Sequence, residues 1–324
     1  MTDAAPATTH DSDRASASTP ARAGIGAYLR LIRVRQWSKS VFVLIGPVYS
    51  LQDGIPDNPG AMAWAVGAAA IIFALASSAC YIFNDLQDIE SDRAHPRKRL
   101  RPLPAGLIAP KTAVGIAIGL VVAAFALLFT IPGQPRLLVG GLVLLHVVNV
   151  TTYSVLSKHR VIVDVLSLSM GFVFRVLAGC AAALVEPSTW LLNVTLFLAM
   201  LLAFGKRLGE RRTMGSSEGA TAARKVQAKY SDDLLRMLVV VSGVATLLTY
   251  AGYIQTRDAD YTHGFNLLWV TMLPATFGLL RAITLLERGD YDDPTELAAR
   301  DRPFQGAALV FGGLTGAIIF LLPA

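Results

Sequence analysis

The strongest constraint on the fold is a series of apolar runs, each close to the roughly 20 residues that an α-helix needs to cross a bilayer. Residues 62–83, for example, contain no charged side chain. Charged residues make up only 16% of the chain, against about 25% in a typical soluble domain. The chain is therefore predicted to be an all-α, polytopic membrane protein.

The apolar runs predict nine transmembrane helices within one membrane-embedded domain, residues 25–324. The predicted spans are residues 38–51, 62–83, 112–131, 137–153, 161–184, 190–204, 234–253, 267–286 and 304–322. Residues 1–24, rich in Ala, Thr, Ser and Asp, are predicted to be a disordered tail. Charged segments follow the second span and the sixth span, which are four spans apart. This spacing predicts two pseudo-repeated four-helix units plus one helix.

Basic residues are concentrated on one side of the predicted membrane. The tail and the loops after spans two, four, six and eight hold nearly all of the Lys and Arg. By the positive-inside rule, the N-terminus is cytoplasmic and the C-terminus lies outside the plasma membrane. The same distribution argues that the net charge of +6 reflects topology and not a nucleic-acid partner. Residues 28–37 alternate basic and apolar side chains and are predicted to form an interfacial helix.

Four acidic residues appear abruptly at the end of the second span. On a continuous helix, Asp85, Asp88 and Asp92 lie at i, i+3 and i+7 and share one face. Carboxylates stacked in this way repel one another unless a cation lies between them. Mg²⁺, which takes a few carboxylates together with substrate phosphate oxygens, is the predicted ion, with Mn²⁺ as an alternative. A solvated acidic helix end is the competing interpretation.

A basic segment containing Arg97, Lys98 and Arg101 follows within a few residues. Acids that hold a metal, with bases that neutralise the remaining phosphate oxygens, suit a polyanion bound through Mg²⁺. The alternative is that these bases only mark the cytoplasmic side of the membrane.

Polar residues also interrupt the fourth and fifth spans. His146, Asn149 and Tyr153 form a stripe that is predicted to face the bundle interior, because polar groups are costly against lipid. Arg175 lies far from either end of the fifth span. It is either a functional residue or the structural partner of Asp164, three turns away on the same face.

The sequence Asn84-Asp85-x-x-Asp88-x-x-x-Asp92, followed by Arg101-Pro-Leu-Pro-Ala-Gly, resembles the first signature of the UbiA superfamily of intramembrane prenyltransferases. The resemblance covers about residues 28–322. It implies an all-α bundle with an active-site cavity that faces the cytoplasm and binds a diphosphate through Mg²⁺ held by these acids.

The resemblance breaks down after the sixth span. Typical members carry a second Asp-rich motif there, whereas this chain has Gly205-Lys206-Arg207-x-x-Glu210-Arg-Arg. One acidic and one basic site suit a donor with a diphosphate at one end and a separate phosphate at the other, such as phosphoribosyl pyrophosphate. Tyr153-Ser154-x-x-x-Lys158, Asp164 and Gly171-Phe172-Val173-x-Arg175 are similar to the decaprenyl-phosphate phosphoribosyltransferase branch. That branch makes the precursor of decaprenyl-phosphoryl-arabinose for cell-wall arabinan.

This interpretation assigns a role to each candidate residue. The predicted catalytic residues are Asp85, Asp88 and Asp92 as metal ligands and Lys158 at the leaving diphosphate. Lys206 and Arg207 are assigned to the donor 5-phosphate, with Glu210 and Tyr230 nearby. Asn84 is expected to orient a ligand or to bind the ribose. Arg97, Lys98, Arg101 and Arg175 are assigned to the phosphate of decaprenyl phosphate, and Tyr153 and Asp164 complete the substrate-binding set.

Two other functions fit part of the pattern. A conventional prenyltransferase would use the acidic site for a prenyl diphosphate and an aromatic acceptor, although the missing second Asp motif argues against it. A non-enzymatic transporter or lipid-binding protein would show broken helices and ion sites at mid-membrane, whereas here the charges cluster at the cytoplasmic boundary. The bilayer itself is a predicted partner, and a homo-oligomer is compatible with the sequence.

Overall fold

The computed structural model describes residues 24–51, 56–94, 98–157, 160–214, 230–257, 264–290, 297–298 and 300–321. Within these ranges the chain is built from helices and contains no β-strand, which confirms the all-α prediction. The predicted disordered tail lies almost wholly outside the described residues.

Eleven α-helices make up the described fold. They are α1 (Ile25–Ile32), α2 (Phe42–Ser50), α3 (Pro59–Gln87), α4 (Ile89–Arg93), α5 (Pro110–Leu128), α6 (Gln134–Val155), α7 (Val163–Ala183), α8 (Thr189–Met214), α9 (Asp232–Thr256), α10 (Met272–Arg288) and α11 (Arg302–Leu321). Short 3-10 helices lie at Val34–Val41, Lys98–Leu100 and Leu267–Thr271.

Seven of the described helical stretches are long and apolar enough to cross a membrane. They are α3, α5, α6, α7, most of α8, α9 and the stretch Leu267–Arg288, and they match predicted spans two to eight. The first predicted span is instead the 3-10 helix Val34–Val41, which continues into the short α2. The ninth corresponds to α11, a helix of 20 residues. The total of nine transmembrane helices stays a prediction.

Several helix starts follow from proline and glycine. Pro59, Pro110 and Pro135 lie in the first turns of α3, α5 and α6, where the missing N–H removes no helical hydrogen bond. Gly133, just before α6, has a φ of 69°, which glycine adopts without the steric cost of a Cβ. These residues set the sharp connections that long apolar helices need.

The helices form two groups that meet along α7 and α8. In one group α3 packs against α5, α6 and α7, and α2 packs against α7. In the other, α8 packs against α9 and α10, and α10 packs against α11. α2 and α7 approach closely because Gly46 and Gly179 lack side chains. A Cβ on Gly179 would collide with the Val43 carbonyl oxygen.

Candidate active site

A cavity of about 1350 Å³ lies between the two groups of helices. Its polar lining includes Arg33, Asn84, Asp88, Lys98, Arg101, Lys206 and Arg207, and its apolar lining includes Leu198, Leu247, Ala275, Phe304 and Phe311. Small-molecule pockets usually measure about 300–1,000 Å³. The cavity therefore has room for a small polar ligand together with part of a lipid chain.

The acidic residues do not lie on one continuous helix. α3 ends at Gln87, and Asp88 has a φ of −96° and a ψ of 6° before α4 begins. Across this break Asp85 and Asp92 come together, because both carboxylates contact the same nitrogen of Arg101, at 3.2 and 2.7 Å. The helix is interrupted at Asp88, although the Asp88 and Asp92 N–H groups still donate to the carbonyls four residues before them, at 3.0 and 2.8 Å. Asp85 and Asp92 therefore share one face, as their spacing predicts.

Asp88 has a different position from the other two acids. It lines the cavity, and the Asn84 side chain donates a hydrogen bond to its carboxylate at 3.1 Å. Asn84 also lines the cavity, so this pair presents one carboxylate and one carboxamide to a ligand.

Three basic residues surround the acid pair Asp85 and Asp92. Arg33 contacts Asp85 at 2.5 Å, Arg101 bridges both acids, and Lys98 Nζ lies 3.4 Å from Asp92. The acids are only 3% and 1% exposed, and buried charges require counter-charges. Lys98 and Arg101 were predicted site residues, and the structure brings both of them to the acid pair.

Arg33 was missed by the sequence analysis. The predicted interfacial helix stops at Ile32, and Arg33 takes a left-handed conformation with a φ of 56° and a ψ of 46°. The guanidinium lies 4.8 Å from the centroid of the Tyr81 ring. Nothing in the basic spacing of residues 28–37 distinguishes Arg33 from its neighbours, because its position depends on this backbone bend.

The acid pair fits a divalent cation that arrives with a ligand. Among the described residues, no three His, Cys, Asp or Glu side chains lie close enough to hold a metal by themselves. Mg²⁺, however, is commonly held by one or two carboxylates together with substrate phosphate oxygens. Asp85 and Asp92 supply two carboxylates, and the Arg101 nitrogen between them stands in for a cation.

The two basic residues at the end of α8 have different surroundings. Lys206 is exposed and lines the cavity. Arg207 is largely buried, and its Nη2 lies 2.6 Å from Asp164 Oδ2. The Tyr230 hydroxyl donates a hydrogen bond to Asp164 Oδ1 at 2.9 Å and accepts one from the Ile162 N–H at 2.6 Å. Burial raises the pKa of Tyr230 to about 12, so the hydroxyl stays protonated as a donor.

Asp164 and Tyr230 therefore hold Arg207 and are not part of the cavity wall. Their predicted contacts with substrate stay predictions. Arg97 and Lys158 lie outside the described residues, as does the side chain of Glu210.

Arg175 lies deep in α7 and lines the cavity. It donates hydrogen bonds to the Gly171 carbonyl at 2.6 Å and to the Ser77 hydroxyl at 2.8 Å, and that hydroxyl contacts His146 Nε2 at 3.1 Å. The alternative in which Asp164 is its structural partner is wrong, because Asp164 is engaged at the end of α8 instead. Ser77, 98 residues away in the sequence, was not predicted.

The predicted polar stripe of α6 does face the interior. His146, Asn149 and Tyr153 all line the cavity. Asn149 exchanges hydrogen bonds with Ser167 on α7, donating to its carbonyl at 2.7 Å and accepting from its hydroxyl at 2.8 Å. All three side chains of the stripe therefore face the interior of the bundle, as predicted, and the substrate contact of Tyr153 stays a prediction.

A helical bundle with an acid pair beside a large, partly apolar cavity is the architecture of an intramembrane transferase. The chain belongs to the UbiA prenyltransferase family, whose family model matches residues 40–300. This confirms the resemblance seen in the acidic signature. With its seven apolar helices, the chain is a multi-pass membrane protein.

Relatives within the family carry a more specific name. The chain is 30% identical over 322 residues to the decaprenyl-phosphate phosphoribosyltransferase of Mycolicibacterium smegmatis, across 96% of this chain and 98% of that protein. It is 31% identical to the protein of the same name from Mycobacterium tuberculosis, across 91% of this chain and 95% of that protein.

Solved structures support the fold. A UbiA homolog from Archaeoglobus fulgidus bound to GPP and Mg²⁺ superposes with a TM-score of 0.63 at 18% identity, covering 90% of this chain and 99% of that one. The same homolog has been solved bound to Cd²⁺, with a TM-score of 0.62.

Proposed function

We propose that this protein transfers the 5-phosphoribosyl group of phosphoribosyl pyrophosphate to decaprenyl phosphate, or to another polyprenyl phosphate, and releases pyrophosphate. The observation that carries the proposal is that one cavity is flanked by an acidic and a separate basic region. Asp88 lines the cavity, and Asp85 and Asp92 contact Arg101, which also lines it, so the three acids suit a metal-bound diphosphate. Lys206 offers a positive charge for a second phosphate. A prenyl diphosphate has no second phosphate to occupy that region. The names of the mycobacterial relatives favour the same assignment.

The donor would be held at both ends. Mg²⁺, when bound, neutralises charge on the diphosphate as it leaves. Asp85 and Asp92 would hold the ion together with Asp88, which lines the cavity and accepts a hydrogen bond from Asn84. Lys206 would bind the 5-phosphate as a charge-assisted hydrogen-bond donor.

The reaction requires positioning more than a strong base. The bond from ribose C1 to the diphosphate oxygen breaks, and its electron pair leaves with pyrophosphate. An anionic oxygen of the lipid phosphate then forms the new bond to C1 from the opposite face, which inverts that centre. Because the nucleophile is already ionised near neutral pH, no side chain has to remove a proton. Catalysis therefore rests on alignment and charge stabilisation.

Lys98 and Arg101 are the better candidates for the acceptor phosphate. Both line the cavity at its charged end. Arg175 lies eleven residues beyond Asp164 along α7, or about 17 Å at the helical rise per residue, and its hydrogen bonds join α7 to α3. We therefore assign Arg175 to the positioning of these helices. The apolar wall, including Phe304 and Phe311, would hold the first isoprene units.

We further propose that the charged end of the cavity opens to the cytoplasm, with the N-terminus inside and the C-terminus outside, as the distribution of basic loops indicates. A water-soluble donor would then enter from the cytoplasm and the lipid acceptor from the bilayer. The product would be the precursor of decaprenyl-phosphoryl-arabinose.

The direct test is product analysis. Purified protein is incubated with phosphoribosyl pyrophosphate, Mg²⁺ and polyprenyl phosphates of several lengths, and the lipid fraction is identified by mass spectrometry. The proposal predicts a phosphoribosyl-phosphoryl lipid and an equal amount of pyrophosphate, both abolished in Asp85→Asn. A prenylated aromatic product from a prenyl diphosphate, without ribosylated lipid, would establish the conventional prenyltransferase instead.

A further inference from the structure

The carboxylates that are expected to hold a metal are already paired with basic residues. Two carboxylates, Asp85 and Asp92, are contacted by three cations, Arg33, Lys98 and Arg101, and Asp88 lines the same cavity. A metal ion that arrived alone would therefore have to displace a paired cation. That cation's positive charge would remain beside the metal unless a negative ligand arrived with it.

We propose that Arg33 is an exchangeable counter-ion: it neutralises Asp85 while no metal is bound, and it pairs with the donor's diphosphate when the metal takes that carboxylate. This inference rests on the proposed function, because it assumes a diphosphate donor. It adds Arg33 to the donor-binding residues and makes metal binding and donor binding mutually dependent.

Arg33 is suited to exchange partners at Asp85. Its side chain is 24% exposed, whereas that of Asp85 is 4% exposed. Arg33 lines the cavity, so its guanidinium already borders the space that a ligand would fill. Arg101 differs from Arg33 because it contacts both acids at once, so a metal held by both acids would take the place of its nitrogen between them.

The backbone around Arg33 is fastened independently of its ion pair. The Ser78 hydroxyl donates a hydrogen bond to the Ile32 carbonyl at 2.7 Å, and Trp37 Nε1 donates one to the same hydroxyl oxygen at 3.0 Å. The segments on both sides of Arg33 therefore stay attached to α3 when the side chain releases Asp85. The exchange needs only a side-chain movement, and the Tyr81 ring beneath the guanidinium offers a surface along which it can move.

The exchange has a thermodynamic consequence. If the diphosphate relieves the repulsion between Arg33 and the metal, the donor must tighten metal binding, and the metal must tighten donor binding by the same factor. Removing the charge of Arg33 should then have opposite effects on the two ligands. The metal alone binds more tightly, and the donor binds less tightly.

The test measures Mn²⁺ binding to the full-length protein by electron paramagnetic resonance of the free ion, with and without phosphoribosyl pyrophosphate. Three variants are compared with the wild type: Arg33→Met, Arg33→Gln and the control Arg35→Met. Arg35 is exposed on the same segment and does not line the cavity. Arg33→Gln retains a hydrogen-bond donor for Asp85, so it keeps the test available if the Met variant does not fold.

We expect wild type and Arg35→Met to bind Mn²⁺ weakly alone and at least about tenfold more tightly with the donor. In Arg33→Gln or Arg33→Met, Mn²⁺ alone should bind several-fold more tightly, and the gain on adding donor should shrink. Unchanged Mn²⁺ affinity in both Arg33 variants would overturn the inference, even if the wild type makes ribosylated lipid. If a prenyl diphosphate, and not phosphoribosyl pyrophosphate, produces the coupling, the counter-ion exchange stands and the proposed donor is wrong.

Discussion

Arg207 at the end of α8 forms a buried ion pair with Asp164 at the start of α7, with 2.6 Å between Nη2 and Oδ2. Tyr230, just before α9, donates a hydrogen bond to the other oxygen of the same carboxylate. One carboxylate therefore joins three membrane helices at the charged end of the cavity. Both basic residues of the motif after the sixth span line the cavity, but Lys206 is exposed there, whereas Arg207 is largely buried in its pair with Asp164.

Removing this ion pair should destabilise the protein. In Asp164→Asn the buried Arg207 keeps its charge and loses its counter-ion, which typically costs about 3–5 kcal/mol. Thermal unfolding in detergent should show a clearly lower midpoint. Asp233→Asn is a matched control, because the Asp233 side chain is 89% exposed in its pair with Arg236 and such surface pairs contribute about 0–1 kcal/mol. Equal midpoints for the two variants would contradict this account of Asp164.

Tyr230 gives a pH dependence at the alkaline end. Burial raises the pKa of its hydroxyl from 10.0 to about 12 in the folded protein. Its contribution to the free energy of unfolding is therefore fully present below pH 10 and is lost as pH rises to 12, since the unfolded chain releases the proton first. The stability of the wild type should fall over this range. The difference between wild type and Tyr230→Phe should shrink there, and a constant difference up to pH 12 would show that the hydroxyl does not titrate as described.

Removing the charge of Lys206 should weaken donor binding much more than it lowers the stability of the fold. Lys206→Met removes a charge that lines the cavity, and a hydrogen bond to a charged group contributes about 1.5–3 kcal/mol. We expect the KM for phosphoribosyl pyrophosphate to rise by roughly 10- to 100-fold, with a much smaller fall in the unfolding midpoint than in Asp164→Asn. Lys111→Met, on the exposed first turn of α5, is the control and should leave KM unchanged. An unchanged donor KM in Lys206→Met would remove Lys206 from the donor site.

Asp301 supports the apolar wall of the cavity by two separable interactions. Its carboxylate binds Arg281 at 2.9 and 3.2 Å and accepts a hydrogen bond from the Phe304 N–H at 2.8 Å, which caps α11. Hydrogen bonds from Arg281 lower the pKa of Asp301, so this contribution to stability is present above the ordinary pKa of 3.8 and is lost as pH falls through the lowered value. At neutral pH, Asp301→Asn should lose the ion pair and keep the cap. Asp301→Ala should lose both and cost about 1 kcal/mol more.

An additional measurement separates these two losses. Because Phe304 lines the cavity, the Ala variant should also raise the KM for the lipid acceptor more than the KM for the donor. Identical stability and acceptor KM in the Asn and Ala variants would show that the cap does not support this wall.

Much of the fold was predictable because it depends on local properties of the sequence. The apolar runs predicted seven helices correctly, since the length of a transmembrane helix is set by the bilayer and not by its neighbours. The polar stripe on α6 was also predictable, because polar side chains are costly against lipid and therefore face the interior. The prediction for the first span was the least accurate, because a 3-10 helix and the nine-residue α2 occupy that region.

The details of the site depended on contacts between distant residues. Asp85 and Asp92 both contact Arg101, and no property of the acidic run alone indicates which basic residue will lie between them. Arg33 meets Asp85 across 52 positions of sequence, and Arg175 meets Ser77 across 98. The sequence could therefore identify most of the charged residues of the site, but not which of them contact one another.

The central claim is that the acidic site binds the diphosphate of a sugar and not that of a prenyl chain. The most direct measurement follows label from ribose-labelled phosphoribosyl pyrophosphate, in competition with a labelled prenyl diphosphate, using the purified protein, Mg²⁺, a polyprenyl phosphate and an aromatic acceptor. We expect ribose label in the lipid fraction, no transfer of prenyl label, and loss of the ribosylated product in Asp92→Asn. Transfer of prenyl label to the aromatic acceptor, with no ribose label in lipid, would contradict it.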